Sequence, residues 1–150
     1  MAKKSYQKNL VKVPHYEVGD GQPIKGRQNP TMTYMSNNLV PGSNTYIEIG
    51  WIYEMPSPNP HIGSHAHDYD EFVIHIGVDQ KHPEELGAEI EFVVGEEKLI
   101  IDKTSALFVP RGVKHGPLTW KKVTKPHIEM VVMPGAGTIK ESNPAGYLKE

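Results

Sequence analysis

The chain has no cysteine, which removes disulfide scaffolds, thiolate zinc sites, iron–sulfur ligation and cysteine nucleophiles together. Any metal it holds must sit on nitrogen and oxygen. A surplus of charge of one sign is also missing. Sixteen Lys plus Arg against eighteen Asp plus Glu leave a net charge of −2, a balance that argues against phosphate-driven nucleic-acid binding. No stretch approaches the roughly 18 apolar residues of a membrane helix. Met1 to Leu10 is charged and polar, unlike the apolar core of a secretory signal. The expectation is a cytoplasmic protein with neither membrane nor nucleic acid as partner. Arginine is scarce, with only Arg27 and Arg111, so the carboxylate-matching fork of each invites attention.

What the chain does contain is punctuation and histidine. Its 150 residues, 37% hydrophobic and 23% charged, suit one soluble domain. Fourteen Gly and thirteen Pro fit many turns between short strands. Pro14, Gly19-Asp20-Gly21, Pro23, Gly26 and Pro30 break the first thirty residues into what reads as an irregular arm. Runs rich in β-branched and aromatic residues follow at Thr31 to Met35, Asn44 to Tyr53, Phe72 to Ile76, Glu89 to Val94, Lys98 to Ile101, Ala106 to Val109 and Ile128 to Met133, and all read as strands.

In the second run Ile47, Ile49, Trp51 and Tyr53 share one parity, which predicts that this face is buried, and Pro56, Pro58 and Pro60 are expected to stop it. Gly95-Glu96-Glu97 predicts a three-residue hairpin. Short helices are predicted only at Pro83 to Leu86 and Pro144 to Leu148. The class is all-β, sandwich or barrel. The expected division is an arm over 1–30, a barrel over 31–135 and a tail over 136–150 packed on or beside it.

Eight histidines need an explanation, because His61, His65 and His67 fall within seven positions. On an extended strand residues two apart face the same side, so His65 and His67 project together about 6.5–7 Å apart at the backbone. A turn at Asp68 to Asp70 then lets Glu71 swing a carboxylate toward the same point. His115 follows the Pro110-Arg111-Gly112 turn that ends the Ala106 to Val109 strand. Three imidazoles and a carboxylate make a borderline ligand set suited to Mn, Fe, Co, Ni, Cu or Zn.

These residues resemble a known pattern. His65-x-His67-x-x-x-Glu71 with Gly77 beyond resembles the first cupin motif, and Pro110-x-Gly112-x-x-His115 resembles the second. The resemblance spans His61 to Thr119 and implies a jelly-roll barrel, or double-stranded β-helix, with one divalent transition metal, Fe, Mn, Ni or Zn, on His65, His67, Glu71 and His115. The sequence departs from the pattern at positions that are not ligands. Asn59 and Thr104 stand where the motifs begin with Gly, Gly77 comes one residue early, and Thr119 replaces a final Asn. Cupins often exchange amino-terminal strands, which makes a homodimer the expectation.

The other polar residues read less sharply. Glu71 is a candidate base as well as a ligand. His127 and Glu129 share a face of the last strand; pointing inward they line the cavity as catalytic candidates, and pointing outward they are a solvated edge. His75 is read as a hydrogen-bonded interior residue that could meet substrate, Tyr69 as a hydroxyl beside the ligands, and Arg27 as a substrate-binding residue on the arm. His15, His61 and His82 read as exposed, and Arg111 as solvent-facing. Two functions follow. One is a metal-dependent enzyme acting on a small oxygenated organic acid or phenolic compound as a dioxygenase, isomerase, decarboxylase or lyase. The other is a non-catalytic metal-containing cupin that binds a small molecule.

Overall fold

Short apolar runs separated by Gly and Pro must pair with one another to satisfy their backbone groups, and they do so in two antiparallel sheets. The computed structural model describes residues 5–12, 15 and 23–137. Its strands are β1 (Lys25–Arg27), β2 (Met32–Met35), β3 (Thr45–Ser57), β4 (Glu71–Gly77), β5 (Glu85–Val94), β6 (Glu97–Lys103), β7 (Ser105–Val109), β8 (His115–Val123) and β9 (His127–Pro134). One sheet runs β1-β3-β9-β4-β7 with β2 also on β3, and the other runs β6-β5-β8. Ile52, Val73, Leu86, Ala88, Ile90, Phe92, Val109, Leu118 and Trp120 fill the space between them. The all-β expectation holds. No helix among the described residues is long and apolar enough to cross a membrane.

Several local expectations are corrected. Lys25–Arg27 pairs with β3 as a strand inside the stretch read as an irregular arm. β3 runs through Pro56 rather than stopping there. Glu85 and Leu86 belong to β5 and not to a helix, because Leu86 goes into the core. The β5–β6 turn has two residues, Gly95 and Glu96, with Val94 facing Glu97, and Gly95 supplies the positive φ of 62° that such turns favour. β8 was not anticipated, since Gly116, Pro117 and the two lysines at 121 and 122 mask its pattern. The predicted helix at Pro144 to Leu148 lies outside the described residues.

The parity of β3 is inverted. Tyr46, Gly50 and Ile52 are buried with Glu48 on the same inward side, while Tyr53 on the other side is exposed. The reason lies in the interior, which is polar at this level. Glu48 is needed opposite Arg27 at 3.7 Å, and a Cβ on Gly50 would stand 2.9 Å from Thr31 Cγ2. The apolar side chains of β3 consequently form the outer surface of the sheet.

Gly77 closes β4 where the chain passes against β5. A Cβ there would meet the Glu85 carbonyl oxygen and carbon, the latter at 2.9 Å, so only glycine admits this approach. β4 also pairs with β9, with His75 opposite Glu129 and Gly77 opposite His127. The inward positions of both strands become walls of the barrel.

Candidate metal centre

The stretch from His61 to His67 is not a regular strand, yet it is clamped by the segment that leads into β8. His65 and His115 exchange both backbone N–H···O bonds at 2.8 Å, Gly112 N–H donates to the His67 carbonyl at 2.7 Å, and Ile62 bridges Leu118. Side chains alternate, with Ser64, Ala66 and Asp68 exposed and His65 and His67 turned in. Gly116 is required beside the clamp. Its φ is +86°, and a Cβ would stand 2.5 Å from the Gly63 carbonyl oxygen. Glu71, the first residue of β4 and opposite Val109, supplies the carboxylate.

The donor atoms of His65, His67, Glu71 and His115 all lie within 4.8 Å of one another. The imidazoles surround one point, with centroid separations of 4.2 Å for His65–His115, 4.8 Å for His67–His115 and 5.7 Å for His65–His67. Each ring is held from behind. Nδ1 of His65 meets the Gly63 carbonyl at 3.0 Å, Nδ1 of His67 the Tyr69 carbonyl at 2.8 Å and Nδ1 of His115 the Val113 carbonyl at 2.8 Å. Tyr69 also stacks flat on His67 at 3.8 Å, which fixes that ring's plane.

These contacts settle the tautomers. A carbonyl oxygen only accepts, so each Nδ1 carries a proton and the Nε2 of each neutral ring is a bare lone pair. Yet Nε2 of His67 and His115 lie 2.7 and 3.0 Å from Glu71 Oε2, which is also an acceptor. Acceptors this close need a positive particle between them, either a proton on each ring or a metal ion. Burial works against the Glu71 carboxylate, but hydrogen bonds from His115 and His67 outweigh it and bring its pKa down to about 2. Burial likewise works against a charged His115, and its bond to Glu71 more than offsets this and raises its pKa. Burial lowers that of His65. Three Nε2 lone pairs and a carboxylate, each ring oriented by a backbone acceptor, fit a divalent transition ion.

The remaining predicted residues gather elsewhere in the barrel. His75, His127 and Glu129 all point inward, which resolves the facing of β9. His75 and His127 lie 6.0 Å apart around Trp120, whose Nε1–H donates to His127 Nε2 at 3.1 Å. His75 is four residues beyond Glu71 on β4, about 13 Å along the strand, and no hydrogen bond, ion pair or ring contact among the described residues joins it to the ligands. Arg27 does not reach outward. It is buried, with Nη2 at 3.7 Å from Glu48 and 3.5 Å from Glu129. Burial pushes the Glu48 pKa up against the opposing pull of Arg27. His15 and His82 are exposed as expected, and Arg111 pairs with Asp70 at the surface.

His61 is the clearest departure. Read as an exposed loop residue, it is fully buried and stacks on Trp120 at 5.2 Å. Nothing in its local sequence marks it, because a loop has no periodicity. Glu48 was legible only through its shared parity with Tyr46, Gly50 and Ile52.

No protein-family model matches the chain, and no curated protein matches it either. Among solved structures, the polyketide cyclase RemF from Streptomyces resistomycificus is similar over 100% of this chain and 87% of its own, at 12% identity and a TM-score of 0.54. A predicted oxalate decarboxylase from Thermotoga maritima is similar over 81% of this chain and 90% of its own, at 13% identity and a TM-score of 0.53. An RmlC-like cupin from Shewanella frigidimarina aligns over 81% and 91%, at 16% identity and a TM-score of 0.46. The fold is that of a small cupin, a two-sheet jelly-roll barrel.

Proposed function

We propose that the chain is a metal-dependent enzyme of the cupin fold acting on a small oxygenated substrate, with one divalent ion, Fe, Mn, Ni or Zn, held by His65, His67, Glu71 and His115. The observation that carries this reading is the approach of two lone-pair nitrogens to one carboxylate oxygen. When bound, the ion supplies Lewis-acid polarisation of a substrate oxygen. The protein's part is orientation. Gly63, Tyr69 and Val113 hold the three rings through their carbonyls, the Tyr69 ring braces His67, and Glu71 is the one carboxylate at the centre, able to take up a proton from a bound substrate. Two structures of the same fold are named for catalysis, which supports an enzyme over a binding protein.

Metal-free protein titrated with Zn²⁺, Mn²⁺, Ni²⁺ or anaerobic Fe²⁺ should take up close to one equivalent of at least one of them, measured by calorimetry and elemental analysis. Uptake of far less than one equivalent of every ion would remove the metal reading. The loaded protein is then incubated with small hydroxy acids and phenols and assayed by mass spectrometry. Bound compounds recovered unchanged throughout would favour the non-catalytic alternative.

The partner proposed is a second copy. Rows of apolar side chains cross the outside of the larger sheet in register: Ile47, Val132, Phe72 and Phe108 in one, Ile49, Met130, Ile74 and Ala106 in the next, Trp51, Ile128 and Ile76 in a third. Phe72 and Phe108 are exposed. A broad apolar sheet face suits a two-fold interface that uses the same patch twice. Sedimentation equilibrium should report twice the 16.8 kDa chain mass, and Phe108→Asp should yield monomer. A wild-type monomer at tens of micromolar would count against the dimer.

A further inference from the structure

The barrel interior holds a second group of polar side chains beyond the metal ligands. His61, His75 and Glu129 are 0%, 0% and 3% exposed. Both ring nitrogens of His61 and both of His75 have no hydrogen-bond partner among the described residues, and Oε2 of Glu129 has no hydrogen bond there beyond its ion pair with Arg27 at 3.5 Å. Burying such atoms unpaired is unfavourable, and apolar residues of similar size would pack the same space at lower cost. Ile52, Val73 and Ile90 at the same level show that the barrel accepts such residues. These polar groups are also neighbours. His61 stacks on Trp120 at 5.2 Å, His75 meets the edge of the same indole at 6.2 Å, and Glu129 faces His75 across the β4–β9 ladder.

The charges around them select a ligand class. Arg27, the one Lys or Arg in this group among the described residues, already lies between Glu48 and Glu129 at 3.7 and 3.5 Å, so its charge is offset before any ligand arrives. Burial holds the imidazoles of His61 and His75 neutral, with pKa values lowered to about 4. A carboxylate or phosphate would find no uncompensated positive charge. A hydroxyl, which both donates and accepts, matches neutral imidazoles and a carboxylate oxygen, and the indole offers a flat wall to a ring.

We propose that the buried cluster of His61, His75, Trp120 and Glu129 is a binding site for an uncharged, hydroxyl-bearing ring. A ligand enters by displacing the His61 ring, which is carried on a loop rather than a strand, from Trp120. That this cluster lines the far half of a substrate pocket rests on the metal-centre reading; that it binds such a ring does not.

The test uses the full chain, with metal content measured on each sample, and phenol and benzoate as probes at neutral pH. Imidazole ¹H–¹⁵N resonances of His61 and His75 should shift saturably with phenol whether or not metal is present. Benzoate should bind at least tenfold more weakly. Glu129→Gln, which keeps the shape, and His75→Leu should each weaken phenol binding at least fivefold, with the β-type circular dichroism retained. Benzoate binding as tightly as phenol, phenol shifts confined to the metal ligands, or no saturable shift would each overturn the proposal. If phenol shifts both rings in protein that takes up no metal, the ring-binding proposal stands and the metal-centre reading fails.

Discussion

His115→Ala abolishes the stabilisation that a divalent metal confers, while the barrel persists. A ligand that binds only the folded state adds about 4 kcal/mol at a free concentration a thousand times its Kd. For a domain of this size that is a rise of roughly 8–16 °C in Tm. In the wild type this increment should appear on adding the best-bound ion. In His115→Ala it should vanish, because one of three imidazole donors is gone and the Nε2 that faced Glu71 at 3.0 Å goes with it. The fold survives, since the contacts pairing residue 115 with His65 run through the backbone.

Glu71→Gln separates the metal from mere packing. In metal-free protein a proton on the ring bridges His67 Nε2 and Glu71 at 2.7 Å, and a neutral amide weakens that charge-assisted bond, so the metal-free form should lose some stability. Its metal increment should fall sharply, because a neutral amide is a poor ligand. The metal increment distinguishes the two readings: a metal centre has a large increment that Glu71→Gln removes, whereas a histidine–carboxylate cluster kept for stability has none to lose. Thermal melts with and without metal measure both quantities. Full metal stabilisation in His115→Ala would refute the assignment.

The cluster of His65, His67, Glu71 and His115 was readable because each of its two motifs is local. His65 and His67 alternate as a strand does, Glu71 opens the next strand, and the Pro110 to Gly112 turn delivers His115 at a fixed offset. The interior cluster was not readable for the complementary reason. Its members come from a loop (His61) and from β1, β3, β4, β8 and β9, so only the fold brings them together. The usual rule that apolar residues mark the inside also misleads here. Alternation along β3 is plain in the sequence, but alternation fixes which residues share a face and not which face is buried. A polar interior at Arg27, Glu48 and Glu129 and an apolar exterior at Trp51 and Tyr53 reverse the ordinary choice. β8 was hidden because a glycine, a proline and two lysines obscured the Leu118–Trp120 alternation.

That polar interior should make the protein acid-labile well above the usual carboxylate range. Burial lowers the pKa values of His61, His75 and His127 from 6.5 to about 4, with the nearby His75 adding to the effect on His127. The folded state therefore keeps these rings neutral where the unfolded chain would protonate them. Between pH 6.5 and 4 the unfolded state binds more protons, so stability is fully present above pH 6.5 and is lost as pH falls toward 4. A downward shift of this size corresponds to about 3 kcal/mol per group, and three such groups approach the whole stability of a typical domain, about 5–15 kcal/mol. The lowered pKa of His65 acts in the same direction. His115 and Glu48, both shifted upward, act in the opposite one. Glu71 stays ionised throughout this window, since its pKa is about 2. Urea denaturation of metal-free protein should show the midpoint falling steeply from pH 7.5 to 5, with a net uptake of between one and three protons on unfolding. His75→Leu should make the dependence shallower by close to one proton and should raise stability at pH 5 more than at pH 7.5, because it removes a group that only the unfolded chain can charge. A midpoint unchanged between pH 7.5 and 5 would mean that these imidazoles are solvated or paired in the folded protein.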